Sequence, residues 1–233
     1  MILFSDRYLI AVNKPPGFTV HDAPGNSVSV MRLLREQQGL TDLTPIHRLD
    51  KDASGVLLLA KNKSTASDMQ RKWGDVEKTY VALCENAPFN DAGTIDAPIL
   101  EHQTGKPARL DSAVKYFKKQ NPRVPMPPLP APKTSGVHPA GRASQTRYRV
   151  LERFKTASGI YSLLEVTPLQ GRMHHIRVHL KHLGCPLALD PLYGRAESSF
   201  QTLTRLPLHA ARLVFPYQNK KMTIDAPLPE DIA

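Results

Sequence analysis

Residues 47–60 read HRLDKDASGVLLLA. Val56–Ala60 is the longest aliphatic stretch in the chain and has the length of one strand, so Gly55–Lys61 is expected as a buried strand. The charged run before it is then a loop feeding that strand, a place where a side chain can be held rigidly. Asp50 lies in this loop between Arg48 and Lys51. Cationic neighbours keep a carboxylate ionised, and an ionised carboxylate can serve as a nucleophile or a base. The same pattern also fits a turn cap or an ordinary surface ion pair.

Outward from this strand, short strands and helices are interspersed. Tyr8–Asn13 reads as a strand ending at the turn Lys14-Pro15-Pro16-Gly17. Ser27–Gln38 is helical, with Gly39 as its stop, and Ser64 is expected to cap a helix reaching about Trp73. Lys78–Glu85 alternates as a half-buried strand, placing Tyr80 on one face with Ala82 and Cys84. Gln145–Phe154 and Ile160–Thr167 look like paired strands, Met173–Leu183 is a helix, and Arg212–Pro216 and Lys221–Asp225 are late strands. The fold class expected is α+β, with a mixed, largely antiparallel central sheet flanked by helices and loops. No internal repeat is present, and residues 1–233 are expected to form one domain.

The chain has 31 Lys and Arg against 21 Asp and Glu, a net charge of +10. Such a balance points to a polyanionic partner, nucleic acid before membrane. No apolar run approaches the ~20 residues of a membrane helix, and the N-terminal stretch lacks the basic region of a signal peptide. Cys84 and Cys185 are far apart in sequence, which excludes a disulfide scaffold and a cysteine zinc site. A cytoplasmic setting fits.

Seven prolines fall between Pro122 and Pro139. That density fits an extended loop and excludes helix or central strand. Residues 118–142 are therefore expected as a basic, proline-rich insertion. Ser112–Leu151 contains no acid, but it carries Lys115, Lys118, Lys119, Arg123 and Arg142 among its cations. These five are candidates for contacts with a phosphate backbone; a soluble, solvated arm is the plain alternative.

The second chemistry-bearing segment is Gly171-Arg172-Met173-His174-His175-Ile176-Arg177-Val178-His179. A helix starting here would place Arg172 and its first amides near an anion. Arg177, at the edge of the apolar face, would be partly buried and would want a carboxylate or phosphate. His175 and His179 have zinc spacing, but the sequence offers no third ligand, so no metal is expected. Tyr80 taken alone is an ordinary core tyrosine.

Together these segments resemble the RluA family of pseudouridine synthases. HRLDKDASG is similar to that family's H-R-L-D-x-x-T-S-G loop, KTYVAL to its K-x-Y-x-A strand, and GRMHHIRVHL to its G-R-x-H-Q-I-R-V-H helix. VNKPPG, LDPLYG and LHAARLVF agree as well, so the resemblance runs from about residue 2 to residue 228 apart from the proline-rich part. It implies the pseudouridine synthase fold, with no separate N-terminal RNA-binding domain. The implied activity is isomerisation of a specific uridine in a ribosomal or transfer RNA stem-loop, after the base is flipped out of the stack. No cofactor and no obligate protein partner are implied, and a monomer is the default.

The resemblance assigns Asp50 as the essential aspartate acting on C1′ or C2′. Tyr80 would stack on the flipped base and assist proton movement, and Arg177 would pair with Asp50. Ile176 would lie under the base, and Arg48 would fill the space the nucleotide leaves. His47, Arg172 and His175 complete the expected substrate-binding set. Ala53 stands where Thr is usual, His175 where Gln is usual, and Leu189 where Gly is common. Two rivals are a non-catalytic RNA-binding or ribosome-assembly protein on the same fold, and a glycoside hydrolase using Asp50 and Asp52. Two carboxylates at i, i+2 in a loop rarely converge on one bond.

Overall fold

The computed structural model describes residues 1–22, 28–102, 107–126, 128–195 and 203–232, with only the backbone of 107–110. In chain order the elements are β1 (Ile2–Ser5), β2 (Leu9–Lys14), α1 (Val30–Gln38), β3 (Thr44–Pro45), β4 (Ser54–Ala60), α2 (Lys63–Arg71) and β5 (Glu77–Glu85). There follow β6 (Ala92–Asp96), β7 (Ile99–Glu101), α3 (Pro107–Gln120), β8 (Ser135–Val137), β9 (Gln145–Thr156), β10 (Gly159–Pro168), α4 (His175–His182), β11 (Leu208–Tyr217) and β12 (Lys220–Asp225). They fall into two compact units, Met1–Ala82 with Phe200–Ala233, and Leu83–Ser199. The chain passes from one to the other inside β5.

In the first unit the strand order is β1-β2-β4-β11-β5, with β3 added to β4 and β12 to β11. β2 is antiparallel to β4, β11 is parallel to β4, and β5 is antiparallel to β11. All seven residues of β4 are buried because both faces of the sheet are covered. The period of two decides which side each residue serves. Leu9, Ala11, Val56, Leu58 and Ala60 point to the side closed by Ala66 and Met69 of α2. Ile10, Val12, Leu57 and Leu59 point to the side closed by Val30 and Leu34 of α1. Each Leu, Ile, Val or Met side chain among them contributes about 1.5–3 kcal/mol on burial.

Ser29 caps α1 by accepting the Arg32 N–H (2.9 Å), and Gly39 ends it in the left-handed region. The first expected residue of that helix, Ser27, lies outside the described residues. The cap of α2 is Asn62, which accepts the Thr65 N–H (2.8 Å), and not Ser64. Asn is the stronger N-cap of the two positions available because its oxygen reaches N3 from an extended backbone. The helix stops at Arg71, and Trp73–Asp75 forms a separate 3-10 turn.

The second unit is built on the β9–β10 hairpin, ten residue pairs long, with β6 antiparallel to β9. β7 and β8 form a separate two-stranded ribbon, so Ser135–Val137 of the proline-rich segment is strand. α3 covers Lys115, Lys118 and Lys119, which are exposed on a helix and not on an extended arm. The first prolines of the cluster lie beyond its end, which is why a helix fits there. α4 begins only at His175, because His174 takes a left-handed conformation (φ 55°). No helix among the described residues is long and apolar enough to cross a membrane.

Gly55, at the junction of the Asp50 loop and β4, has φ 107° and no room for a side chain. A Cβ there would lie 2.2 Å from the Ala210 carbonyl oxygen of β11. Gly55→Ala is expected to cost about 3 kcal/mol or more through backbone collision and strain. Gly159→Ala, also at positive φ but with nothing within 4 Å of the added carbon, is expected to cost only about 1–2 kcal/mol. Urea denaturation of the two variants checks the difference.

Candidate active site

The HRLD loop is seated by the alternation of its own side chains. Leu49 is buried in the α1-side core together with Leu57, Leu59 and Ala210, and Tyr80 packs against that core. That leaves Arg48 exposed and Asp50 half-buried on either side of it. Tyr80 lies on β5 opposite Ala210. Burial pushes its phenol up, and the neighbouring Asp50 charge pushes it further in the same direction, so at neutral pH the hydroxyl keeps its proton. Asp50 and Tyr80 are thus electrostatic neighbours.

Beneath the loop lies Lys14, with no solvent exposure. Its Nζ donates to the carbonyls of Pro15 (2.9 Å), Phe18 (2.8 Å) and Lys51 (2.8 Å). Three carbonyl acceptors need three N–H donors, which only the ammonium form supplies. Burial brings its pKa down to about 8, opposed by Asp52 and Asp50. The ammonium therefore ties the Pro15–Phe18 turn to the loop one residue after Asp50.

His47 is part of the scaffold. Its Nε2 accepts the Leu58 N–H of β4 (3.0 Å), and its ring stacks on Trp73 at 4.8 Å. Lys78 Nζ stands 5.7 Å from the centre of the indole. Burial, then the Lys78 charge, bring the His47 pKa down to about 3, so the ring is neutral.

In the second unit Arg177 is buried and forms a two-pronged ion pair with Asp190: Nε to Oδ2 at 2.8 Å and Nη2 to Oδ1 at 2.7 Å. Asp190 Oδ1 also accepts the N–H groups of Leu192 (3.0 Å) and Tyr193 (3.2 Å). Two charges taken out of water need this degree of satisfaction, and removing one partner from such a pair costs about 3–5 kcal/mol. The Arg177 guanidinium also stands 5.1 Å from the centre of the Tyr193 ring. Ile176 and His175 are buried beside it on α4. Arg172 precedes the helix by three residues and donates to the Ala143 carbonyl (3.2 Å), so the helix start does not present it to an anion as expected. Its neighbour Arg142 is held by Glu101 (2.7 Å), which also accepts the Met173 N–H (3.1 Å).

His179 has both ring nitrogens committed. Nε2 donates to the Ala97 carbonyl (2.9 Å), so Nδ1 accepts the Thr146 hydroxyl (2.8 Å). The zinc spacing of His175 and His179 is therefore spent on packing, with the two rings edge to face at 4.6 Å.

The chain matches the family described as RNA pseudouridylate synthase over residues 8–182. The chain belongs to the RNA pseudouridylate synthase family. It is 33% identical over 238 residues to a ribosomal large subunit pseudouridine synthase C of Vibrio cholerae, covering 97% of this chain and 65% of that protein. It is 36% identical over 238 residues to the protein of the same name from Yersinia pestis, covering 97% and 65%. This chain thus spans slightly less than two thirds of those relatives' length. Among solved structures, human RNA Pseudouridylate Synthase Domain Containing 1 has the same fold, with a TM-score of 0.73 and 24% identity over 97% of this chain and 82% of that one.

Within this synthase fold, Asp50, Tyr80 and Arg177 were candidates from the sequence, which gave no role to Lys14 or Asp190. Both lay in quoted motifs, VNKPPG and LDPLYG. A lysine directly after the apolar run LIAVN was the available signal for the first. The burial that makes the second a partner for Arg177 has no signature in sequence.

His47 is half-buried, His179 and His209 are buried, and all three have lowered pKa values. An unfolded histidine takes up a proton near pH 6.5; folded His47 resists down to about 3. The unfolded state then binds more protons, so stability falls as pH drops from 6.5 toward 3, by up to about 1.4 kcal/mol per pH unit for His47, with His179 and His209 acting in the same direction. The urea midpoint is expected to be lower at pH 4.5 than at pH 7. In His47→Gln, whose amide oxygen can still accept the Leu58 N–H, that difference should shrink.

Proposed function

We propose that this protein isomerises a uridine to pseudouridine in structured RNA, and that large-subunit ribosomal RNA is its substrate class. The observation that carries the reading is the seating of the HRLD loop: Leu49 anchored in the core, a buried ammonium below, and Asp50 half-buried beside the protonated Tyr80. The names of the Vibrio and Yersinia relatives support the ribosomal substrate.

In this reading Asp50 either bonds to C1′ as N1 leaves, that ester bond breaking when C5 bonds to C1′, or removes the C2′ proton as the N1–C1′ bond breaks and returns it when C5 bonds to C1′. Uracil turns in place and rejoins through C5; C5 gives up a proton and N1 gains one, so no atom is lost or supplied. Tyr80, kept as a phenol, packs on the flipped base and donates a hydrogen bond during the proton movement. Arg177, held in one plane by Asp190, is the third motif residue of this reading. Ile176 supplies apolar contact to the base, and the exposed Arg48 enters the space it vacates. Flipping costs a few kcal/mol, which phosphate contacts offset.

Asp50→Asn keeps shape and removes the reactive carboxylate. It is expected to retain RNA affinity and to form no pseudouridine in total RNA from cells lacking the gene; turnover by this variant would contradict the assignment. Tyr80→Phe should slow turnover more than it weakens binding. Equal losses in both would leave Tyr80 as a packing residue.

Lys115, Lys118 and Lys119 on α3, together with Arg123 and Arg142, are proposed to meet the phosphate backbone. Changing the three lysines to Gln should flatten the salt dependence of RNA binding by about two to three units of log–log slope. An unchanged slope would remove α3 from the interface.

A further inference from the structure

The loop that carries Asp50 is also held at its other end. Ser54, the first residue of β4, is buried and lies four residues after Asp50. Its Oγ accepts a hydrogen bond from Arg205 Nη1 (3.1 Å) and lies 2.9 Å from His209 Nδ1. Arg205 is itself fixed by Asp231 through two bonds of 2.7 Å, Nε to Oδ2 and Nη2 to Oδ1. Its Nη1 also reaches the Leu206 carbonyl (3.3 Å).

Proton positions follow from these partners. Arg205 can only donate, so the Ser54 hydroxyl proton turns to His209 Nδ1. That places the imidazole proton on Nε2, which faces the Ala226 carbonyl at 3.5 Å. Burial keeps this ring neutral. The result is a directed chain, Asp231–Arg205–Ser54–His209–Ala226, in which each link has one satisfactory orientation. The ordinary alternative is a plain structural staple that joins residues 225–232 to β11 and has no bearing on the chemistry.

Two features separate the chain from such a staple. Ser54 precedes Gly55, the residue clamped against Ala210, so a shift at Ser54 cannot be absorbed on the strand side. On the loop side, Lys14 fixes the Lys51 carbonyl, and the Arg205 charge lies within electrostatic reach of Lys14. Residues 51–54 are thus pinned at both ends, by the buried Lys14 and the half-buried Arg205, and any slack appears at the residue just before them, Asp50.

We propose that Arg205 is a positioning residue for Asp50, acting through the Ser54 hydroxyl and itself oriented by Asp231. The proposal rests on the pseudouridine synthase reading and deepens it. Ser54→Ala removes the acceptor, Arg205→Lys keeps the charge but cannot serve Asp231 and Ser54 together, and Ser54→Thr keeps the hydroxyl. Asp231→Asn reads the same contact where Arg205→Lys proves unstable. Each variant is compared with wild type and Asp50→Ala on total RNA from cells lacking the gene, by single-turnover rate, RNA affinity and thermal midpoint.

The expected result is a rate lowered about 10- to 100-fold in Ser54→Ala and Arg205→Lys, as for a reacting group displaced by a fraction of an ångström to an ångström. Affinity should stay within about twofold of wild type, and Ser54→Thr should regain most of the rate. Rates within about threefold of wild type in both variants, or rate, affinity and midpoint falling in parallel, would overturn the proposal. An inactive wild type or an active Asp50→Ala would instead overturn the functional reading on which it rests.

Discussion

The Lys14 ammonium organises the surroundings of Asp50. A charge fully withdrawn from water is costly, and here three backbone carbonyls converge to offset that cost. Those carbonyls belong to two separate stretches, the Pro15–Phe18 turn and the loop at Lys51. Neither stretch has a regular ladder to hold it, so the ammonium takes the place of one. The two-sided burial of β4 supplies the rigid floor, and Leu49 ties the loop to that floor through the α1-side core.

The same device, a cation made rigid by a fully used acceptor set, occurs twice more. Arg177 is locked by Asp190, whose carboxylate also takes two backbone N–H groups. Arg205 is locked by Asp231 and passes its remaining contact to Ser54. Buried ion pairs add little net stability compared with apolar packing. Their value in this fold is directional: each fixes a guanidinium in one plane.

Much of this was legible in the sequence because the relevant signals are local. The apolar runs of β2 and β4 pointed to the first unit's core, and HRLD, KTYVAL and GRMHHIRVHL marked Asp50, Tyr80 and Arg177 as candidates. What escaped depended on distant neighbours. The α2 cap moved to Asn62 because two polar residues competed for one position. α3 was hidden by the proline cluster that follows it, and α4 lost its first turn to the left-handed His174. His47 was expected to face substrate, but its Nε2 is taken by β4, a contact between residues 47 and 58 that no spacing rule announces. Asp190, Arg205 and Asp231 look like ordinary charges in sequence; only the fold brings them to their partners.

Pseudouridine mapping of total RNA tests the account most directly, using cells with the gene, without it, and with it replaced by the Asp50→Ala form. The account predicts at least one uridine in ribosomal RNA whose conversion disappears with the gene, returns with the wild-type chain and stays absent with Asp50→Ala. A map unchanged by loss of the gene, or one fully restored by Asp50→Ala, would contradict it.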